Sequence, residues 1–559
     1  MLASARDVPP GSVLHADVAI VGGGPAGITL ALELMGSGLS VLLLEAGGGA
    51  GRGRGGVDAF HGEVADASRH PPIDLYRRQG LGGTSSVWGG RCVPFDPIDF
   101  EPRSHVPWSG WPIGYDDVLP FYRRAMDHCH AGPFHFRVAE ALGPDAAPMV
   151  PGFRPPEIDI DGVERFSLPT DFGRAYRRPL ANSPTTTVLL HSTCIGLDPT
   201  PSGTGIAALR VAAEPGRTFT VRARRHVLAA GGLETARLLL AAGVGNRFGH
   251  VGRFYMCHLE GKAAMARFPA GARVIYEYER DRGGVYLRRF FSFAAALQRE
   301  QAMTNIILRF EPPVVADPAH GNPVLSAMYL VHALLQPEYS CKLGDVGSSY
   351  DGAATPAGRL GGHIANVAGG LPQLARFSAG WAVKHWLARR KQPYLGAVAR
   401  DGTLYLDFNA EQTPNPDSRV TLSGARDAYG VPRLHVAWRV CDLDIASVST
   451  AYRLIAAALN GAGAGRLTID EDEIRDGYRA MGGHHIGTAR MAEDASLGVV
   501  DRNCRVFDLD NLFVAGSAVF PTSSHANPTL TIVALATRLA DHLKALARSA
   551  SDRLPMAAE

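Results

Sequence analysis

The stretch that most restricts how this chain can fold is residues 17 to 47, DVAIVGGGPAGITLALELMGSGLSVLLLEAG. Asp17 to Val21 is a short apolar run of strand type, and it leads straight into Gly22, Gly24 and Gly27. Ile28, Leu30, Leu32 and Leu34 then continue as a helix, and residues 40 to 47 form the next strand, ending in Glu45. Each glycine has a separate job: Gly22 permits the tight turn, Gly24 lets a pyrophosphate approach the backbone, and Gly27 lets helix and strand pack closely. Pro25 and Ala26 fill the first turn, where unpaired N–H groups favour a phosphate. Glu45 follows Gly27 by 18 residues, the distance at which a carboxylate accepts hydrogen bonds from ribose hydroxyls. Strand, glycines, helix, strand and acid in register predict a Rossmann-like unit with a dinucleotide across it, without saying which dinucleotide.

A chain of 559 residues, 46% hydrophobic and 20% charged, has ample material for a globular core. The net charge of +2 provides no field to gather nucleic acid, so nucleic acid is excluded as a partner. Seven cysteines, at 92, 129, 194, 257, 341, 441 and 504, are odd in number and never spaced C-x-x-C. Neither a disulfide framework nor a metal site is expected from them. The N-terminus has no charged start followed by an apolar core, and the glycine-rich run after it is too interrupted to span a bilayer. The expectation is a cytoplasmic protein.

Further along, GGAGRGRGGVDAF at 48–60 reads as a flexible surface loop, with an active-site lid as the other reading. RRQGLGGTSSVWGGR at 77–91 surrounds Gly83, Thr84, Ser85, Val87, Trp88, Gly89 and Gly90 with further glycines, which suits a loop lying along a flat ring. FDPIDFEPRSHVPWSGWPIGYDDVLPFYRRAMDHC at 95–129 reads as ordered loop ending in a helix from Tyr115. Residues 185–199, which include Cys194, and 217–243 are strand-rich, and the second stretch turns at Ala230 and Gly231 into a helix. From about 265 to 475, RVIYEYERD, GVYLRRFFSF, NIILRFEPP and RLHVAWRV alternate as antiparallel strands, the pattern of a substrate-facing layer. Within it, 361–393 is a basic helical stretch, read as half-buried with a solvated face in preference to lying on a membrane. Residues 550–559 read as a disordered tail.

The C-terminal region carries the sharpest chemistry. MGGHHIGTARM at 481–491 is followed by GVVD, by NLFVAGSAVFPT and by ANPTLT. Leu512 to Ala515 reads as a buried strand that breaks at Gly516 and Ser517, and Thr529 to Leu543 reads as a helix whose N-terminus exposes N–H donors beside Asn527, Pro528 and Thr529. In that order these motifs resemble the C-terminal signature of the glucose–methanol–choline oxidoreductases, FAD enzymes that oxidise alcohols. The separation of 43 between His484 and Asn527 is similar to that family's spacing between its catalytic His and a second active-site His or Asn. The resemblance implies FAD as the dinucleotide. It also implies a flavin contact for the 77–91 loop, and non-covalent binding, since Val87 stands where some members carry a flavin-linked His. Cys194, Ala230 and Gly231 are implied cofactor contacts as well.

The implied architecture is α/β (α+β overall), with a Rossmann-like FAD-binding domain (1–110, 181–264 and 476–559) interleaved with an antiparallel-sheet substrate-binding domain (111–180 and 265–475). Oxidising an alcohol requires a base for the hydroxyl proton, and a neutral His titrates close to working pH. His484 is the expected base, with His485 and His525 as competitors. Asn527 cannot take a proton but can hold the substrate oxygen. The expected substrate is a polyol or sugar, an amino sugar or glycoside, extending to aminoglycoside-type intermediates. Oxygen or another compound would accept the electrons. The competing readings are an FAD-containing lyase of the same fold, and a dehydrogenase subunit feeding a cytochrome, which the absence of a secretion signal disfavours.

Overall fold

Val18 to Val21 and Val41 to Glu45 are buried without interruption, as happens only when both faces of a parallel sheet are covered. A computed structural model describes residues 1–49, 60–168, 170–335, 356–388, 390–393 and 398–549. It places these two strands side by side at the centre of an eight-stranded sheet. Thr186–Leu190 and then Leu2–Ser4 extend the sheet on one side, all parallel. On the other side Arg217–Leu228 pairs parallel with Val13–Val21 and also with Leu512–Val514. Ile206–Glu214 and Thr193–Pro199 complete that side as an antiparallel meander. The fingerprint and the C-terminal signature are thus held one strand apart.

The helix Thr529–Arg548 locks this arrangement. Leu530, Val533, Leu539 and Leu543 are fully or almost fully buried on its inner face, each Leu contributing roughly 1.5–3 kcal/mol over an exposed position. It packs on Pro25–Glu33 and on Tyr115–His128, where the Tyr122 hydroxyl meets Thr531 Oγ1 at 2.9 Å.

The second layer is a five-stranded antiparallel sheet of Ile306–Glu311, Leu404–Ala410, Leu259–Arg267, Arg466–Ile469 and Arg479–Ala480. Leu259–Arg267 runs across the expected domain boundary at 264 and lies wholly in this sheet. Three readings of this region need correction. RVIYEYERD is irregular except for Glu279–Arg280, because its alternating pattern has only a two-residue partner in Tyr286–Arg289. RLHVAWRV contributes Pro432–Ala437 to a separate three-stranded sheet with Arg419–Arg426 and Gly62–Val64. Asp442–Gly461, within a region read as strands, is a 20-residue helix burying Val448, Ala451, Tyr452, Ile455 and Leu459 at helical spacing.

The basic stretch forms two helices, Pro356–Gly369 and Leu371–Ala382, and a wider turn, Val383–Leu387. Among the described residues no helix is long and apolar enough to cross a membrane. The loop-or-lid reading of residues 50–59, the tail 550–559, Arg389 and Cys341 lie outside the described residues.

Candidate active site

The glycine corner is shaped by close approaches of backbone to backbone. Gly22 sits at φ 108°, and a Cβ there would meet the Ala229 carbonyl at 2.5 Å. A Cβ on Gly27 would meet the Gly22 carbonyl at 1.9 Å. Gly24 differs: its φ is −80°, and a Cβ there would have nothing within 4 Å. Its missing side chain leaves room on the open side of the corner.

That open side is a cavity of about 270 Å³. Gly22, Gly24, Pro25, Ala26, Gly83 and Thr84 line it from the first part of the chain. Ser85, Trp88, Cys194, Ala230 and Gly231 follow, with Gly516, Ser517, Pro528 and Thr529 from the C-terminal part. Gly27 packs behind it, and Val87, Gly89 and Gly90 are not among its lining residues; Val87 is 46% exposed. Glu45 lines the cavity but is already engaged: Oε2 accepts from the Gly23 N–H at 2.8 Å, and Oε1 from those of Gly47 and Gly80 at 2.7 and 2.9 Å. Burial pushes its carboxyl pKa up and these three donors oppose the rise. It therefore ties three glycine loops together while keeping limited capacity for a ribose.

Arg77 is a lining residue that the sequence reading passed over. It pairs with Glu234 at 2.7 Å, yet its buried Nη1 has no partner among the described residues. A cation with an unused donor, three glycines and the uncapped first turn of Thr529–Arg548 together fit a diphosphate-containing cofactor such as FAD. The RRQG run at 77–80 was the available signal.

His484 also lines the cavity. Its Nε2 is 3.2 Å from Asn527 Nδ2, and its Nδ1 is 2.7 Å from His258 Nδ1. His258 is fully buried, with Nε2 at 3.0 Å from the Ser523 carbonyl. Arg91 Nη1 donates to Asn527 Oδ1 at 3.2 Å. Because a guanidinium only donates, this bond fixes the amide with its NH₂ toward His484. Sequence reading found His484 and Asn527 but not Arg91 or His258, which stand in no recognised spacing.

The two competing histidines have other partners, but His485 also lines the cavity and its Nε2 has none among the described residues. His485 is buried, with Nδ1 at 2.7 Å from the Tyr255 hydroxyl, and burial holds its pKa well below the usual value. The same hydroxyl lies 2.9 Å from His70 Nε2 and 3.2 Å from Cys257 Sγ. The ligand-type atoms of His70, Cys257 and His485 lie within 4.8 Å of one another, the one such group among the described residues. The Tyr255 hydroxyl bonded to all three makes it a hydrogen-bonded cluster. His525 faces Asp96 at 3.1 Å; burial works to lower its pKa, and the carboxylate outweighs burial and raises it.

Residues 414–536 match the family profile described as GMC oxidoreductase. Over 94% of its length the chain is 24% identical to paromamine 6'-oxidase of Streptomyces fradiae, covering 90% of that protein. It is 24% identical to 6'''-hydroxyparomomycin C oxidase of Streptomyces lividus, covering 95% of this chain and 92% of that one. The fold is similar to that of pyridoxine 4-oxidase from Mesorbium loti, with a TM-score of 0.55 at 19% identity over 94% of this chain and 98% of the other. Residues 414–536, which hold both His484 and Asn527, thus carry the C-terminal domain of the GMC oxidoreductases, and the relatives and the fold are similar over nearly the whole chain.

Proposed function

We propose that this protein is an FAD-dependent oxidoreductase that converts a CH–OH group of a sugar, amino sugar or glycoside to the carbonyl, with His484 as general base. The observation that carries the reading is the pairing of His484 Nε2 with the Asn527 amide at 3.2 Å, beside a cavity that begins at the dinucleotide corner. Bound FAD supplies the hydride acceptor. The chain supplies the rest. His484 Nε2 takes the hydroxyl proton, and Asn527, held by Arg91, donates to the substrate oxygen and fixes its position. Residues 1–110, 181–258 and 481–559 would form the FAD-binding domain, and 111–180 with 259–480 the substrate-binding domain, so that Leu259–Arg267 and Arg479–Ala480 stay in one sheet.

The substrate class is supported by the two full-length relatives, both named as oxidases of aminoglycoside-type compounds. These names favour a redox reaction over a lyase. With no nucleophile at Val87 the flavin would be held without a covalent bond, and acid precipitation of the protein should release it. Anaerobic addition of paromamine, methyl glycosides, choline and benzyl alcohol in separate cuvettes tests the substrate class through the flavin absorbance. Sugars are expected to bleach it. Bleaching by choline or benzyl alcohol alone would remove the sugar reading.

A further inference from the structure

We propose that His258 is a positioning residue that holds His484 in the tautomer protonated at Nδ1, leaving Nε2 as the proton acceptor toward Asn527. This rests on the proposed role of His484 and goes beyond it, because it names what selects the working nitrogen.

Arg91, Asn527, His484 and His258 form a chain of four side chains whose two ends fix the protons between them. At one end is the Ser523 carbonyl, which can only accept, so His258 Nε2 at 3.0 Å carries a proton and donates it. Burial lowers the pKa of His258 to about 3, so the ring is neutral across the working range and its Nδ1 bears only a lone pair. The 2.7 Å contact between the two Nδ1 atoms needs one proton, and His484 must supply it. At the other end, Arg91 turns the Asn527 NH₂ toward His484 Nε2, which must therefore accept. Both ends demand the same tautomer. The opposite one would set two lone pairs face to face at 2.7 Å and two N–H groups face to face at 3.2 Å.

When His484 accepts a proton at Nε2, its Nδ1–H still donates to His258, so the imidazolium keeps an acceptor inside the protein. His258 itself neither gains nor loses a proton.

The test is a spectroscopic reading of the tautomer in the FAD-loaded enzyme labelled with ¹⁵N in its imidazole rings, in which the His484 signals are those that vanish in His484→Gln. In the unmodified enzyme Nδ1 should show the shift of a protonated nitrogen and Nε2 that of a bare one. His258→Leu, which offers no acceptor, should move the population toward the Nε2-protonated form. His258→Asn can accept from His484 through its carbonyl while donating to Ser523, and should restore the original pattern. The rate of flavin reduction by paromamine or another sugar that bleaches the flavin should fall about ten- to a hundredfold in His258→Leu. It should recover in His258→Asn and show no further loss when His258→Leu is added to His484→Ala. A His484 protonated at Nε2 in the unmodified enzyme, or a tautomer indifferent to His258→Leu, overturns the proposal. Because the tautomer is read without substrate, that outcome is distinct from a failure of His484 as base, which would appear as normal flavin reduction in His484→Ala.

Discussion

The glycine corner and the histidine centre share one cavity but are built on different principles. Around Gly22 and Gly27 the decisive partners are backbone atoms: Gly27 is limited by the Gly22 carbonyl, and Gly22 by the Ala229 carbonyl just past the adjacent strand Arg217–Leu228. At His484 the relay is made of side chains and one carbonyl from three other stretches of chain, at 91, 258 and 523–527. A backbone-limited site fails as a unit when one atom is added. A side-chain relay loses its function one bond at a time.

The largest expected effect breaks the first kind of site outright. Gly27→Val forces a branched side chain into the Gly22 carbonyl and should yield no folded protein, seen as loss of the cooperative thermal transition. Gly24→Val should fold normally by circular dichroism yet purify colourless, because its side chain enters only the open cavity where the diphosphate is proposed to lie. If Gly24→Val remains yellow with unchanged FAD affinity, the corner is not where the cofactor sits.

On the histidine side, His484→Ala should slow flavin reduction by at least about 10²-fold while FAD stays bound. His485→Ala should cost less, since that ring is committed to Tyr255. A larger loss from His485→Ala would exchange the two assignments. Asn527→Ala removes one orienting bond and should cost about tenfold, keeping whatever ionisation His484→Ala abolishes in the rate of reduction between pH 5 and 9, about the range where histidine titrates.

The smallest effect concerns His226, a buried histidine on the strand Arg217–Leu228, which pairs with both Val13–Val21 and Leu512–Val514. Neither of its ring nitrogens has a partner among the described residues, and burial lowers its pKa to about 4. The unfolded chain takes up a proton near pH 6.5 that the native state refuses until about 4. Stability due to this group is therefore fully present above pH 6.5 and falls by about 1.4 kcal/mol per unit below it. His226→Leu should leave Tm at pH 8 unchanged or slightly higher, and should flatten its decline between pH 6.5 and 4; an equally steep decline would assign the acid sensitivity to other buried groups. His258, equally buried, keeps partners on both nitrogens.

What the sequence determined by itself follows the range of the forces involved. Strand, turn and helix at 17–47 were legible because turn chemistry and apolar periodicity act over a few residues, and His484 and Asn527 because a family motif carries both. The helix Asp442–Gly461 was missed although Val448, Tyr452, Ile455 and Leu459 stand at helical spacing, because the alternating runs on either side of it set the reading of the whole region. The rest was decided by the tertiary structure. Glu45 looked like a ribose ligand, and only the approach of Gly80 and Gly47 shows how much of its hydrogen-bonding capacity the loops consume. Neither Arg91 nor His258 carries any mark of its role in the chain. Hydrogen bonds are directional and short, so which nitrogen of His484 bears the proton depends on atoms brought together from more than four hundred residues of chain, from Arg91 to Asn527.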